Sequence, residues 1–190
     1  PPCKCLVVDC DDTLWGGILG EEGLGGINLG EEYPGNVFKN FQRKLLSIKD
    51  RGVLLAVASK NNEAEVIEVF ENHPDSILKL NDFSAMQVHW NDKATSLVKI
   101  AEELDISVDA LAFFDDNPVE RDWIRSQLPE VTVLDVPESP LEYIHALEES
   151  SAFDQLIITA EDRVRPQMYQ EQLYRKRLEN QSISVEAFLE

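Results

Sequence analysis

The run Leu6-Val7-Val8-Asp9-Cys10-Asp11-Asp12-Thr13-Leu14-Trp15-Gly16-Gly17 constrains the fold more than any other stretch of the chain. An apolar segment stops abruptly in carboxylates, a thiol and a hydroxyl, and a glycine pair follows. A short apolar run closed by turn residues reads as a buried strand of a parallel sheet. In open α/β sheets, ligands gather just beyond the carboxyl ends of such strands. In extended backbone, Asp9 and Asp11 would leave on the same side. Side-by-side carboxylates repel unless a cation lies between them, so the pattern suits a Mg²⁺ site for phosphoryl chemistry. A solvated acidic turn is the plainer alternative. An EF-hand is excluded, because that loop needs Gly at its sixth position and Glu at its twelfth, where this chain has Leu14 and Gly20.

Beyond this strand the chain alternates helical and extended patterns. Residues 14–35 are glycine-rich and fit neither a Walker loop nor a dinucleotide fingerprint. They predict a small hairpin flap with arms at Ile18-Leu19 and Ile27-Asn28-Leu29. Val37, Phe38, Phe41, Leu45 and Ile48 recur at helical spacing up to Gly52. A second buried strand over Val53 to Ala58 ends at Ser59, where a hydroxyl and the following N–H groups could hold phosphate. Asn61 or Asn62 would cap the next helix. Met86 to Trp90 reads as a strand, and Asn91-Asp92 opens a helix with Lys93 in its first turn. A lysine there runs against the helix dipole, whereas an ordinary surface charge is the plainer reading. Leu111 to Phe114 is a strand ending in Asp115-Asp116-Asn117-Pro118, with Pro118 placed to start a helix. Val131 to Leu134 predicts a fifth strand, Pro140 to Leu147 a helix, and residues from Glu161 onward a helical tail.

Charge and length narrow the possible functions. The 190 residues suffice for one substantial core. With 17 basic and 36 acidic residues, a net charge of −19 repels phosphate backbones, so no nucleic-acid partner is expected. No apolar run reaches the length of a membrane span and no signal peptide precedes the first strand, which predicts a cytoplasmic protein with no membrane partner. Cys3, Cys5 and Cys10 cluster in ten residues, which is no disulfide framework and fits a reducing compartment. The chain begins Pro1-Pro2 without Met and stops within an apparently helical run ending at Glu190, so a piece of a longer protein is expected. Within it, residues 1–150 would form the core, with the flap at about 14–35, and 151–190 a helical extension packed on that core.

Asp9-x-Asp11-x-Thr13, Ser59, Lys93 and Asp115-Asp116 fall, in order, at or near predicted strand ends. The series resembles that of the haloacid dehalogenase-like phosphotransferases. Thr13 to Gly17, Ser59-Lys60-Asn61, Asp115 to Arg121, and Glu161 to Arg165 with Met168-Tyr169 resemble the FkbH-type branch of polyketide assembly. The resemblance implies a three-layer Rossmann-like α/β fold with a central parallel sheet and no large cap domain. It implies Asp9 as phosphoryl nucleophile and Mg²⁺ ligand, and Asp11 as general acid/base that also offers its backbone carbonyl to the metal. Thr13 and Ser59 would bind phosphate, Lys93 would balance charge, and Asp115 and Asp116 would hold Mg²⁺. Asp12 stands where the branch would have Asn. Members of the branch take a glyceryl group from 1,3-bisphosphoglycerate and load it onto the phosphopantetheine thiol of an acyl carrier protein, with a cysteine at position 10 as acyl acceptor.

Cys10 separates that chemistry from plain phosphate hydrolysis. A thiolate attacks an acyl phosphate readily and passes the acyl group to another thiol, and a close Mg²⁺ or Lys93 would lower its pKa. A buried structural thiol is the alternative. His89, near Lys93 in sequence, is a weaker base candidate. Arg163, Arg165, Arg175, Lys176 and Arg177 form the densest basic cluster, suited to docking an acidic carrier or, at Arg163 and Arg165, to a substrate phosphate. A Mg²⁺-dependent phosphatase of a small ester or phosphoprotein, and a non-catalytic docking domain, are the competing functions.

Overall fold

The apolar run Cys5–Val8 forms β1, every residue of it buried. It is flanked on both sides by hydrogen-bonded parallel neighbours, β2 (Leu54–Ser59) and β4 (Leu111–Phe114). Strands β3 (Ala85–Val88) and β5 (Thr132–Val133) complete a parallel sheet of order β3-β2-β1-β4-β5. The computed structural model describes residues 2–154 and 166–179.

A strand buried on both faces must feed two cores, and alternation along β1 does so. Leu6 and Val8 join one cluster with Phe38, Phe41 and Leu45 of α2 (Gly35–Asp50) and with Val66, Val69 and Phe70 of α3 (Glu63–Asn72). The same layer takes Tyr143 and Leu147 of α6 (Tyr143–Glu149). Cys5 and Val7 face the opposite cluster, built on Leu97, Ile100 and Leu104 of α4 (Lys93–Leu104) and Ile124 of α5 (Pro118–Gln127). The result is the expected three-layer arrangement around a central parallel sheet, and no cap domain interrupts the described residues.

One buried side chain stitches the site loop to the body. Gln42 on α2 donates to the Leu14 carbonyl at 2.7 Å and accepts from the N–H groups of Ile77 and Leu78 at 2.9 and 3.0 Å. Burying an amide without such partners would cost more than the bonds return.

The flap differs from the predicted hairpin. Leu19 begins α1 (Leu19–Glu22) instead of a strand arm, because the Asp11 carboxylate accepts its N–H at 3.0 Å. The antiparallel link moves to Gly16 and Asn28, whose backbones exchange bonds of 2.9 and 2.8 Å. A Cβ on Gly16 would stand 2.8 Å from the Phe38 ring, so only glycine allows that approach. Other boundaries shift slightly. β3 stops at Val88, leaving Trp90 in the following turn, and β5 keeps only Thr132–Val133, with the Leu134 N–H extending the ladder to Phe113. Pro140–Glu142 is a 3₁₀ turn leading into α6.

From the tail, a helix over residues 166–179, α7, is described. Tyr169 packs against the cluster that includes α4 and α5, and Gln170 donates to the Phe83 carbonyl at 2.7 Å. Phe83 precedes β3, so α7 meets the amino-terminal edge of the sheet. Among the described residues, no helix is long and apolar enough to cross a membrane.

Candidate active site

The strand register brings the separated acids together. Val8 pairs with Phe114, so the residues that follow, Asp9 and Asp115, emerge side by side at the carboxyl edge. Asp116 comes next on the same loop. One carboxylate oxygen from each of Asp9, Asp115 and Asp116 lies within 4.8 Å of the others. Asn117 caps α5 through the Val119 N–H, and its own N–H donates to Asp115 Oδ1 at 2.9 Å. Arg121 Nη1 donates to the carbonyls of Asp115 and Asp116, both at 3.0 Å, and so holds the turn that carries them.

Lys93 enters from the layer behind the sheet. Asp92 caps α4, which makes Lys93 its first residue and points it into the cluster. Its Nζ stands 2.6 Å from Asp115 Oδ2 and 3.2 Å from Asp9 Oδ1, and only 4% of the residue is exposed. Burial alone would lower the Lys93 ammonium, but Asp9 and Asp115 outweigh it and raise its pKa. The lysine that opposes its helix dipole is thereby explained, since its partners lie on other strands.

One ammonium does not balance three carboxylates. Burial, with Asp9 beside it, pushes Asp115 up to about 6 despite Lys93. Burial, then Asp9 and Asp115, pushes Asp116 up to about 8. Protons held this way mark a place that a cation could take instead. The donors are all oxygens, which suits a hard divalent ion such as Mg²⁺.

Asp11 is placed differently from its neighbours. Its Oδ1 accepts from Trp15 Nε1 at 3.1 Å and from the Leu19 N–H, and its Oδ2 accepts from Asn61 Nδ2 at 3.0 Å. Its carboxylate therefore does not join the three clustered acids. Strict alternation fails here because regular extension ends at Val8 and Asp12 turns left-handed at φ 55°. Asp12 tolerates that region because its carboxylate accepts the Gly17 N–H at 2.7 Å, and its carbonyl accepts the Tyr143 hydroxyl at 2.8 Å. Asp or Asn could both serve in that bond.

Thr13 and Ser59 lie where the sequence places them. Thr13 Oγ1 donates to Asp116 Oδ1 at 3.1 Å. Ser59, buried at the end of β2, accepts from Asn61 Nδ2 at 3.3 Å. Cys10 is fully buried within the α2–α3 core cluster. Burial and then Asp9 push its thiol well above the ordinary range, and a hydrogen bond with Ser59 and the charge of Lys93 oppose this only in part. The expected lowering by Lys93 is therefore overruled by desolvation. His89 accepts the Asn91 N–H through Nδ1 at 3.2 Å, which leaves Nε2 to meet Gln87 at 2.9 Å. Arg163 and Arg165 lie outside the described residues. Arg175, Lys176 and Arg177 are exposed on α7, at the edge opposite the acids.

Trp15, Asn61, Arg121 and Tyr143 are the supporting residues for which sequence reading found no site role. Asn61 and Arg121 lie within the quoted motifs, whereas nothing local marks Tyr143, which is 131 residues from its partner.

No protein-family model matches the chain, and no curated protein does. Among solved structures, it is similar to the N-terminal part of the protein BF1531 from Bacteroides fragilis, described as containing a phosphatase domain complexed with Mg. The two share 39% identity at a TM-score of 0.79, over 81% of this chain and 41% of that one. The chain thus spans about two fifths of that structure. A protein of unknown role from Corynebacterium glutamicum ATCC 13032 Kitasato shares 12% identity at a TM-score of 0.49, over 79% of this chain and 98% of that one, and adds nothing to the comparison.

Proposed function

The fold is haloacid dehalogenase-like, and from it we propose that the chain is a Mg²⁺-dependent phosphatase domain that works through an aspartyl phosphate. The carrying observation is the buried set of Asp9, Asp115 and Asp116 with Lys93 wedged between two of them. The Mg-bound phosphatase domain of the B. fragilis relative supports it.

An Asp9 oxygen forms a bond to phosphorus as the bond to the leaving oxygen breaks. Lys93 stays by Asp9 and offsets the charge that gathers there. The Ser59 and Thr13 hydroxyls would hold the phosphate oxygens, Thr13 leaving Asp116 to do so. Asp11 leaves its present donors to give the leaving oxygen a proton, then takes one from the water that attacks phosphorus and frees Asp9. Asp9, Asp115 and Asp116 would hold Mg²⁺, which supplies neutralisation of the phosphate's negative charge. An acid set of this kind argues against a purely docking domain.

The finer reading is that the substrate is 1,3-bisphosphoglycerate and that its glyceryl group passes to the phosphopantetheine thiol of an acyl carrier protein. The motifs from Thr13 to Gly17, Ser59 to Asn61 and Asp115 to Arg121 support it. With Cys10 buried, an acyl group reaches that thiol only when the loop Asp9–Thr13 opens.

Phosphate release from acetyl phosphate with Mg²⁺ tests the first reading. Asp9→Asn should abolish release, and Mg²⁺ should raise the melting temperature of the parent protein but not of Asp115→Ala. Equal stabilisation of that variant moves the metal elsewhere. Intact mass of a phosphopantetheinylated carrier incubated with protein, Mg²⁺ and 1,3-bisphosphoglycerate tests the second. Full loading by Cys10→Ser would replace the thioester step by direct transfer to the carrier thiol.

A further inference from the structure

At the carboxyl end of the sheet, where β2 ends and α4 and α5 begin, opens a cavity of about 700 Å³, lined by Lys60, Asp92, Val119, Glu120, Asp122 and Trp123 among others. Its walls are continuous with the site, since Lys60 follows Ser59, Asp92 precedes Lys93, and the charge of Glu120 is felt at the Lys93 ammonium. A group attached to a phosphate held at Asp9 would have this cavity as its neighbour.

Three carboxylates line it against one ammonium, which at first favours a cationic ligand. Each acid, however, already accepts from a donor of the protein, although for Asp92 the donors are neutral. Asp92 accepts the Ala94 N–H at 2.8 Å and the Trp123 indole at 2.7 Å. Asp122 pairs with Arg125 at 3.2 Å. Glu120 pairs with Lys60 at 3.0 Å. Of these, the Lys60 pair is the one whose cation lines the cavity. The Lys60 side chain is 40% exposed and that of Glu120 14%, so the cation end of the pair faces solvent and can turn to a ligand. A phosphate offers the same ammonium more charge and more acceptor oxygens than a single carboxylate does. Of the other cations near the site, Lys93 is committed to Asp9 and Asp115, and Arg121 spends Nη1 on the carbonyls of Asp115 and Asp116 while its Nε, buried and without a partner, is shut off from solvent.

We propose that Lys60 is a specificity-determining residue that receives a second anionic group of the substrate, exchanging Glu120 for it. The site then selects short phosphate esters or acyl phosphates that carry an anion at the far end. Glu120, once released, stays in the field of Lys93, and the Val119–Trp123 wall covers the connecting carbons. This rests on the phosphatase reading and adds to it the residue that reads the far end.

Two acyl phosphates separate the possibilities: acetyl phosphate, whose far end is a methyl group, and 1,3-bisphosphoglycerate, whose far end is a phosphate. Steady-state phosphate release is measured with Mg²⁺ for the parent chain, Lys60→Met and Glu120→Gln. Lys60→Met should raise KM for the bisphosphate about tenfold more than it raises KM for acetyl phosphate, a ratio expected for one lost charge-assisted contact. Glu120→Gln, which frees the ammonium, should lower KM for the bisphosphate relative to acetyl phosphate. Equal factors for the two substrates in both variants, or no change in either, would overturn the role of Lys60. A parent chain that releases phosphate from neither substrate would instead overturn the phosphatase reading itself.

Discussion

Two lysine–aspartate pairs of similar length stand at opposite edges of the sheet. At the carboxyl edge, Lys93 meets Asp115 at 2.6 Å, and at the amino edge Lys49 meets Asp82 at 2.9 Å. Their surroundings differ more than their distances. The first pair is 5% and 0% exposed and shares its space with Asp9 and Asp116, whereas the second keeps 21% and 16% of its side chains in water. A buried pair recovers little net stability, because desolvation consumes the attraction. The carboxyl-edge pair therefore holds carboxylates where hydrophobic packing would serve the fold better. Net stability alone does not account for its presence.

The sharpest way to break this contrast is to remove each lysine. Lys93→Met in metal-free protein should lose about 3–5 kcal/mol, the usual result of stripping one partner from a buried pair. Lys49→Met should lose less than about 1 kcal/mol, as partly exposed pairs do. Urea unfolding with and without Mg²⁺ checks both, and added Mg²⁺ should recover part of the Lys93 loss alone. Equal losses would put the two edges on the same footing.

A pH series comes next in size. Asp115 and Asp116 are raised to about 6 and about 8, so the folded, metal-free chain keeps protons that the unfolded chain releases near pH 4. The stability this confers is complete at low pH and is lost as pH rises through about 6 and then about 8. In chelator, the melting temperature should fall from pH 5 to pH 8.5, and Mg²⁺ should flatten the decline by favouring the ionised carboxylates. A flat profile in chelator would mean the acids are not crowded.

Tyr143→Phe keeps the aromatic packing on Phe38, Phe41 and Phe114 and removes only the bond to the Asp12 carbonyl. It should cost about 1 kcal/mol of stability and lower kcat for phosphate release several-fold with little change in KM. Loss of stability without any change in kcat would make Tyr143 part of the core alone.

The smallest effect is expected at the amino edge. Arg175→Glu with Arg177→Glu should shift stability by no more than about 0.5 kcal/mol, as exposed substitutions do, and leave phosphate release unchanged. If the basic helix docks an acidic carrier, carrier loading alone should slow, and more at low salt than at high. A partner bound there must still reach round the sheet to the acids.

Much of this contrast is legible in the sequence for a simple reason. Asp9, Ser59, Lys93 and Asp115 each follow an apolar run or a cap, and strand ends in a parallel sheet converge on one edge. Position along the chain is enough to place them. Where side chains point is another matter. Period-two alternation puts the Asp11 carboxylate beside Asp9, but the chain leaves the extended region after Val8, and Asp11 turns to Trp15, Leu19 and Asn61 instead. The same capture of the Leu19 N–H converts the predicted hairpin arm into α1. Tyr143 illustrates the limit, because its bond to Asp12 depends on how α6 packs across α2, and no spacing encodes that.

The burial of all three thiols has a kinetic consequence. Cys3, Cys5 and Cys10 are 1%, 0% and 0% exposed. Cys5 is held in the central strand, so an alkylating reagent reaches it only when the sheet comes apart. Cys10 lies past the last ladder residue, on a loop that could open by itself. The rate at which each thiol is labelled is then a clock for a different opening. If Cys10 reacts far faster than Cys5, the loop breathes within an intact fold, and its thiol is within reach of chemistry. If the two react together, Cys10 sees the outside world only in the unfolded chain.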